Sequence, residues 1–416
     1  MTIASAPVAG VDLFTDPVLA HPHGAYRTIR NAGPAVYLPE HRLWVLSRYR
    51  EVRHALNHPL IFTPAHGTGL LDLLSIPATG ATSGRTAPAG PSATTDASAP
   101  SPDLTITALT ALTASSTASP AGRATPLTLN DLETVIVNHA ERLVDDLVAR
   151  SSFDAVAELA TPFALKTIGD LIGLPAAARP DLMTCAEASL QANAPLDDHT
   201  LRALMDLESV FTFLTTELTA SCTPASATPA SATPDHAATC GHDPTVHLLK
   251  TFAMPCVYTI AVGISGMLWL LATHPEAWHA LRTTPSLVAA AVEESLRLEP
   301  PVQILSRTTT RDVRIGDTLI PAGGRVLLLL AAANRDPRKW PDPDHFEIRR
   351  NPTDHLSLGL GAHSHLTATV AKTHLRAVLG ALVNRAPALY LDGTPRRRIT
   401  STTRAFASLP LYATQP

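Results

Sequence analysis

Apolar residues recur at three- and four-residue spacing over most of this chain and alternate only in short stretches, a pattern that predicts a mainly α protein with small β sheets. His21, Pro22 and Tyr26 introduce a short helix. Residues 35–38 and 43–46 then flank Pro39-Glu40-His41-Arg42 as two strands of a hairpin, followed by a helix over 49–56. A helical pattern runs from Thr128 through Val148, with Asn130 as its candidate cap, and returns around Cys185 and over 202–218. Residues 252–272 form the longest uncharged apolar run, and 289–298 read as a strong helix closed by Pro300-Pro301. Beyond it, 304–307 and 313–319 read as strands with a turn at Gly316-Asp317. An apolar segment over 326–330 and a helix over 369–383 complete the pattern.

Composition adds limits to this outline. At 416 residues with no polar boundary between its elements, the chain reads as a single large α-rich domain over 1–416. Two segments inside it, 77–125 and 220–243, are rich in Ala, Thr, Ser and Pro and cannot bury a core. A net charge of -4 offers no basic footprint, which excludes nucleic acid as a partner. The 4 cysteines, at 185, 222, 240 and 256, have no short paired spacing, and the N-terminus has no basic stretch leading an apolar one. A reduced, cytoplasmic protein is therefore expected. Cys222, His236, Cys240 and His242 surround a five-residue repeat, yet they lack the closer spacing of a zinc site, so no metal site is expected. The run over 252–272 is long enough to cross a bilayer. Its Pro255, Gly263, Ser265 and Gly266, and the lack of flanking basic clusters, suit a buried helix better, so no membrane contact is expected.

Chemistry concentrates in His355-Leu-Ser-Leu-Gly-Leu-Gly-Ala-His-Ser-His365-Leu-Thr-Ala368. Gly359, Gly361 and His363 fall in register with F-G-x-G-x-H-x-C-x-G, so the stretch resembles the haem-binding loop of a bacterial cytochrome P-450. His365 stands where that family has its axial cysteine, Leu358 where it has Phe, and Thr367 where it has the last Gly. A thiolate ligand drives O–O cleavage, whereas imidazole gives globin-like or peroxidase-like behaviour.

The resemblance extends along nearly the whole chain and is most specific after Cys256, which implies the cytochrome P-450 fold. Residues 252–272 resemble the family's long central helix, where the A-G-x-[DE]-T segment falls on Pro255-Cys256-Val257-Tyr258-Thr259. The oxygen-activating acid is thus replaced by Tyr258, while Thr259 remains. Glu294 and Arg297 match the family's E-x-x-R and lie three apart, a pairing distance on one helix face. The resemblance places His345 as the residue that closes this structural triad. Arg307 stands where the family has a propionate-binding arginine, and the best register for the other propionate ligands puts Asp103 and Thr107 in their place.

Several losses at one pocket imply a protein that has dispensed with its cofactor. The chain is similar to haem-free P-450-like proteins that activate a partner deoxysugar glycosyltransferase in antibiotic biosynthesis, which implies an auxiliary role without catalytic residues. One alternative is a monooxygenase or peroxidase with His365 as haem ligand and with His363 and Arg307 at a propionate. Another is a cofactor-free cyclase or isomerase that binds a small molecule in the vacated pocket at Cys256, Tyr258 and Thr259.

Overall fold

The structure is a computed structural model that describes residues 10–64, 129–191, 212–214, 216, 249–360 and 364–415. The N-terminal elements are helices α1 (Asp16–Ala20) and α2 (His23–Ala32), strands β1 (Val36–Leu38) and β2 (Leu43–Leu46), helix α3 (Tyr49–Asn57) and strand β3 (Phe62–Thr63). Next come α4 (Leu129–Arg150), β4 (Ser152–Asp154), a π-helical turn (Ala155–Ala160), α5 (Thr161–Ile172) and α6 (Arg179–Gln191). A second π turn (Leu249–Ala253) leads into α7 (Met254–Thr273), then α8 (Pro275–Thr283) and α9 (Val288–Leu298). Strands β5 (Ile304–Thr309), β6 (Val313–Ile315), β7 (Thr318–Ile320) and β8 (Arg325–Leu329) precede α10 (Leu330–Ala333) and α11 (Ser364–Arg385). The chain closes on β9 (Leu389–Leu391), β10 (Arg396–Arg397), β11 (Phe406–Ser408) and β12 (Pro410–Ala413).

Helix α7 is the hub of the helical core. Of its 20 residues only Pro255, Trp269 and Thr273 escape full burial, because the run is apolar on every side and has helices or strands packed around it. It is long and apolar enough to cross a membrane, but here those side chains are spent on the interior. Gly263 and Gly266 let it approach its neighbours: a Cβ would come within 3.3 Å of Leu375 on α11 and of Glu299 past α9.

The larger sheet has the order β1-β2-β8-β5-β3, in which β2 and β8 are parallel and the remaining pairs antiparallel. The predicted hairpin forms with Val36 opposite Val45, and Arg307 on β5 faces Val326 on β8. Strands β6 and β7 form the second predicted hairpin, turned by Gly316 at φ +58°, a left-handed conformation that favours glycine. A three-stranded sheet, β4-β12-β9, ties the chain's C-terminal end to the start of the π turn, where the Asp154 carboxylate accepts from the N–H groups of Val156 and Ala157.

Two expectations shift. Helix α4 already includes Leu129, so Asn130 lies inside it rather than at its cap. Of the helix expected over 202–218, only 212–214 and 216 are described, and these are helical. Both low-complexity segments, with Asp103, Thr107, Cys222, His236, Cys240 and His242, lie outside the described residues, as do Gly361 and His363.

Candidate functional site

The loop entering α11 is built on the end of α9. Leu356 donates its N–H to Asn334 Oδ1 at 2.8 Å, and Ser357 Oγ donates to the Leu296 carbonyl at 2.6 Å while accepting from Asn334 Nδ2 at 2.7 Å. All of these groups are buried, so the loop's entry is fixed by polar pairs whose partners lie far away in sequence. Neither Asn334 nor Ser357 stood out in the sequence, since a single Asn or Ser carries no spacing signal. Gly359 follows at φ +71°, the left-handed conformation that its place in the motif requires. Helix α11 begins one residue before His365, whose side chain lies outside the described residues.

The structural lock is present, with one correction. Arg297 donates from Nε and Nη2 to Glu294 at 2.7 and 2.8 Å, and from its nitrogens to the carbonyls of Asn334, Pro343 and His345. His345 therefore contributes a main-chain oxygen rather than the closing side chain. The third side chain is Arg350, whose Nε reaches Glu294 Oε1 at 3.2 Å. A guanidinium matches a carboxylate better than an imidazole would, because it is permanently charged and forked. Beside the lock, Glu293 gathers Lys372 at 2.8 Å and Arg376 at 3.3 Å from α11, with His355 Nε2 at 3.2 Å but not aligned for a hydrogen bond. Burial acts to raise the Glu293 pKa, but those cationic and imidazole neighbours outweigh it and hold the carboxyl below its usual range. The sequence reading passed over Glu293 because it is adjacent to the better-known motif position.

The three α7 positions part company. Cys256 is engaged by Thr367 of α11, and burial pushes its thiol up to about 12, so it is neutral near pH 7. Tyr258 turns toward the C-terminal segment, its hydroxyl 3.0 Å from Thr403 Oγ1, and burial raises it to about 12. That makes it a weaker acid than a free phenol, with its proton held near pH 7. Tyr258 lines a small pocket with Met183, Glu187, Ser265, Arg398 and Phe406, and Glu187 pairs with Arg398 at 2.7 Å across it. Cys256 and Thr259 are not among the residues lining that pocket; Thr259 is buried on α7.

Arg307 is the group that points to a ligand. It is partly buried, and desolvation pushes its guanidinium pKa down to about 10. Its recorded hydrogen bond runs from Nη1 to the Ser306 carbonyl at 2.7 Å, and it makes no ion pair among the described residues. A desolvated guanidinium without a carboxylate is costly unless an anion completes it, and a haem propionate has the required chemistry.

A helical body organised on a buried central helix, with an E-x-x-R lock beneath a glycine loop that feeds a second long helix, defines a P-450-type architecture. Residues 285–366 match the family model described as Cytochrome P450. The chain is 31% identical over 413 residues to Cytochrome p450 CYP199A2 of Rhodopseudomonas palustris, covering 99% of this chain and 95% of that one. It is 32% identical over 274 residues to Protein AknT of Streptomyces galilaeus, covering 63% of this chain and 61% of that one. Among solved structures, cytochrome CYP109Q5 from Chondromyces apiculatus superposes with a TM-score of 0.70 at 25% identity, covering 99% of each chain. The chain belongs to the cytochrome P-450 family.

Membership overturns the expectation of a protein without a cofactor, because relatives aligned over almost the whole chain are cytochromes and haem is the cofactor expected here. The partly buried Arg307 guanidinium, with no ion pair among the described residues, accords with this. The residues fit haem at the propionate edge through Arg307, and imidazole at 365 is chemically competent as an iron ligand.

Proposed function

We propose that this protein is a cytoplasmic P-450-family member of secondary-metabolite biosynthesis that lacks the axial thiolate and serves as an auxiliary to a partner enzyme, a glycosyltransferase. The observation that carries the reading is the placement of the cysteines. Residues 355–368 contain none, and Cys256, the cysteine that packs against the start of α11, is buried, protonated and engaged by Thr367. Thiolate donation is what favours O–O cleavage in the family's oxygen chemistry, and no residue of the loop supplies it. Tyr258, in the register of the family's acid, is committed to Thr403. The lock of Glu294, Arg297 and Arg350 is nevertheless intact, so the frame that a partner would grip is preserved. Similarity to Protein AknT of Streptomyces galilaeus, a name that does not describe a cytochrome, is in keeping with this role.

Arg307 would hold a haem propionate, and His365, by its register, would offer imidazole to the iron. Bound haem supplies a redox-active iron centre. In the auxiliary reading that centre is not needed for the partner's activation. Co-expression with a partner deoxysugar glycosyltransferase should raise that enzyme's soluble yield or turnover. The complex should bury at least about 1,000 Å2, as a specific interface does. His365→Ala should leave the activation unchanged. Lost activation in a folded, partner-binding His365→Ala protein would refute the proposal, as would turnover of a pathway intermediate by the isolated protein.

A second reading is favoured by Arg307: a haem oxidoreductase with His365 as ligand. It requires a stoichiometric Soret band whose position changes in His365→Ala, together with substrate oxidation that the same variant abolishes.

A further inference from the structure

On another side of α9 the N-terminal helices and the C-terminal hairpin meet around one buried carboxylate. Glu299 Oε2 lies 3.0 Å from Arg397 Nη1 and 3.3 Å from Arg404 Nε, and its Oε1 lies 3.9 Å from Arg335 Nη2. The Glu299 side chain is 3% exposed, and those of Arg335, Arg397 and Arg404 are 12%, 18% and 13% exposed. At the rim, Asp344 pairs with Arg335 at 2.8 Å and Arg27 at 3.2 Å. Four guanidinium groups (27, 335, 397, 404) thus face two carboxylates (299, 344), an excess of two positive charges from 4 - 2. His23 does not change that sum: burial and the surrounding arginines push its ring down to about 2, so it is neutral.

Donors are also left over. Arg335 Nε, Arg397 Nη2 and His23 Nδ1 are buried and have no hydrogen-bond partner among the described residues. Buried polar groups are nearly always paired, so three such atoms around one charge cluster mark a place where an acceptor belongs. Arg397 is held by aromatic faces, with its guanidinium 3.9 Å from the Phe406 ring centre and 4.7 Å from that of Trp269. Stacking fixes the fork in place, so binding costs little side-chain entropy. Rigid guanidinium forks recognise oxyanions, and a doubly charged one would neutralise the excess.

We propose that Arg335, Arg397, Arg404 and His23, gathered around Glu299, form a binding site for a phosphate-type oxyanion, either inorganic phosphate or the phosphate group of a small monoester. The site involves neither the loop before α11 nor the role proposed above, and it stands or falls separately from them.

The test uses the full chain titrated with inorganic phosphate or phenyl phosphate against chloride at equal ionic strength, read by thermal melting and by 31P line width. Saturable stabilisation by one of the two probes beyond that of chloride is expected, and the probe that binds tighter identifies the source. Arg404→Gln should weaken that binding about tenfold, the loss of roughly one charge-assisted contact. Glu299→Gln should melt lower in chloride and recover in phosphate, because the anion takes over the missing counter-charge. Two results would overturn the site. One is neither probe acting differently from chloride on the wild type or on Glu299→Gln, which would make the cluster a closed salt-bridge knot. The other is undiminished phosphate stabilisation of Arg404→Gln, which would place the binding elsewhere.

Discussion

Arg307 and His374 are single residues whose environments set measurable behaviour. Arg307 carries a desolvated charge with no ion pair among the described residues. Arg307→Leu should therefore leave the haem-free protein as stable as wild type or more so, while haem affinity falls. The lost charge-assisted contact is worth about 1.5–3 kcal/mol, which corresponds to roughly ten- to hundredfold in Kd. Haem titration beside thermal melts separates the two effects, and equal haem affinity in the variant would remove Arg307 from the site. His374 is buried on α11, with Nδ1 2.7 Å from the Val370 carbonyl and Nε2 2.8 Å from Thr167 Oγ1 on α5. Burial pushes its pKa down to about 4 from 6.5, so the folded ring is neutral where the unfolded one takes up a proton. Its contribution to stability is complete above pH 6.5 and is lost as pH falls through that value toward 4, a swing of about 3 kcal/mol. His374→Gln should show a shallower loss of stability over that window in pH-dependent denaturant melts. An unchanged slope would mean that the ring titrates normally.

At the scale of elements, α9 is the piece that joins the two halves of the architecture. Eight consecutive residues, from Ala291 to Leu298, are buried, including Glu293, Glu294 and Arg297. Arg297 reaches three carbonyls beyond its own helix, and Glu294 accepts from the Glu347 N–H and from Arg350, so the segment over 334–350 is anchored to α9 through this one ion pair and its neighbours. Arg297→Ala should cost about 3–5 kcal/mol, since Glu294 would be left as a buried charge with only the partly exposed Arg350 and the Glu347 N–H to answer it. Urea unfolding midpoints check this, and a midpoint like that of wild type would show that the lock carries no stability. Arg350→Ala should cost less, because its side chain is partly exposed and Glu294 keeps the bidentate Arg297. Replacing His345 by Ala should be close to neutral, since only its carbonyl takes part. The resemblance had placed His345, not Arg350, as the closing residue.

Across the whole molecule, two observations concern how the chain meets other molecules. The helical core and the larger sheet are both intact around a loop without cysteine, which is why the auxiliary reading is tested by partner activation rather than by turnover of the isolated protein. The oxyanion cluster at Glu299 adds a second surface whose chemistry is unrelated to the loop. Its signature is a phosphate-dependent rise in melting temperature. His365→Ala should leave that rise untouched, because His365 belongs to the loop and not to the cluster.

The sequence by itself determined the class of the fold, the hairpin over β1 and β2, the central helix and the E-x-x-R pair, because these depend on periodicity and on contacts within a few residues. It also fixed the absence of cysteine from residues 355–368, which is a matter of composition. The tertiary structure alone decided that Arg350 rather than His345 closes the lock, that Tyr258 faces Thr403, and that Arg307 is partly buried with no ion pair among the described residues. It also decided that arginines from two distant segments share one carboxylate. These are questions of which side chains meet across long stretches of sequence, as Glu294 meets Arg350 and Tyr258 meets Thr403. Spacing along a chain carries no information about such meetings. They follow from how apolar faces are buried together, and burial is also what turns an ordinary arginine or histidine into one with a displaced pKa or an unanswered donor.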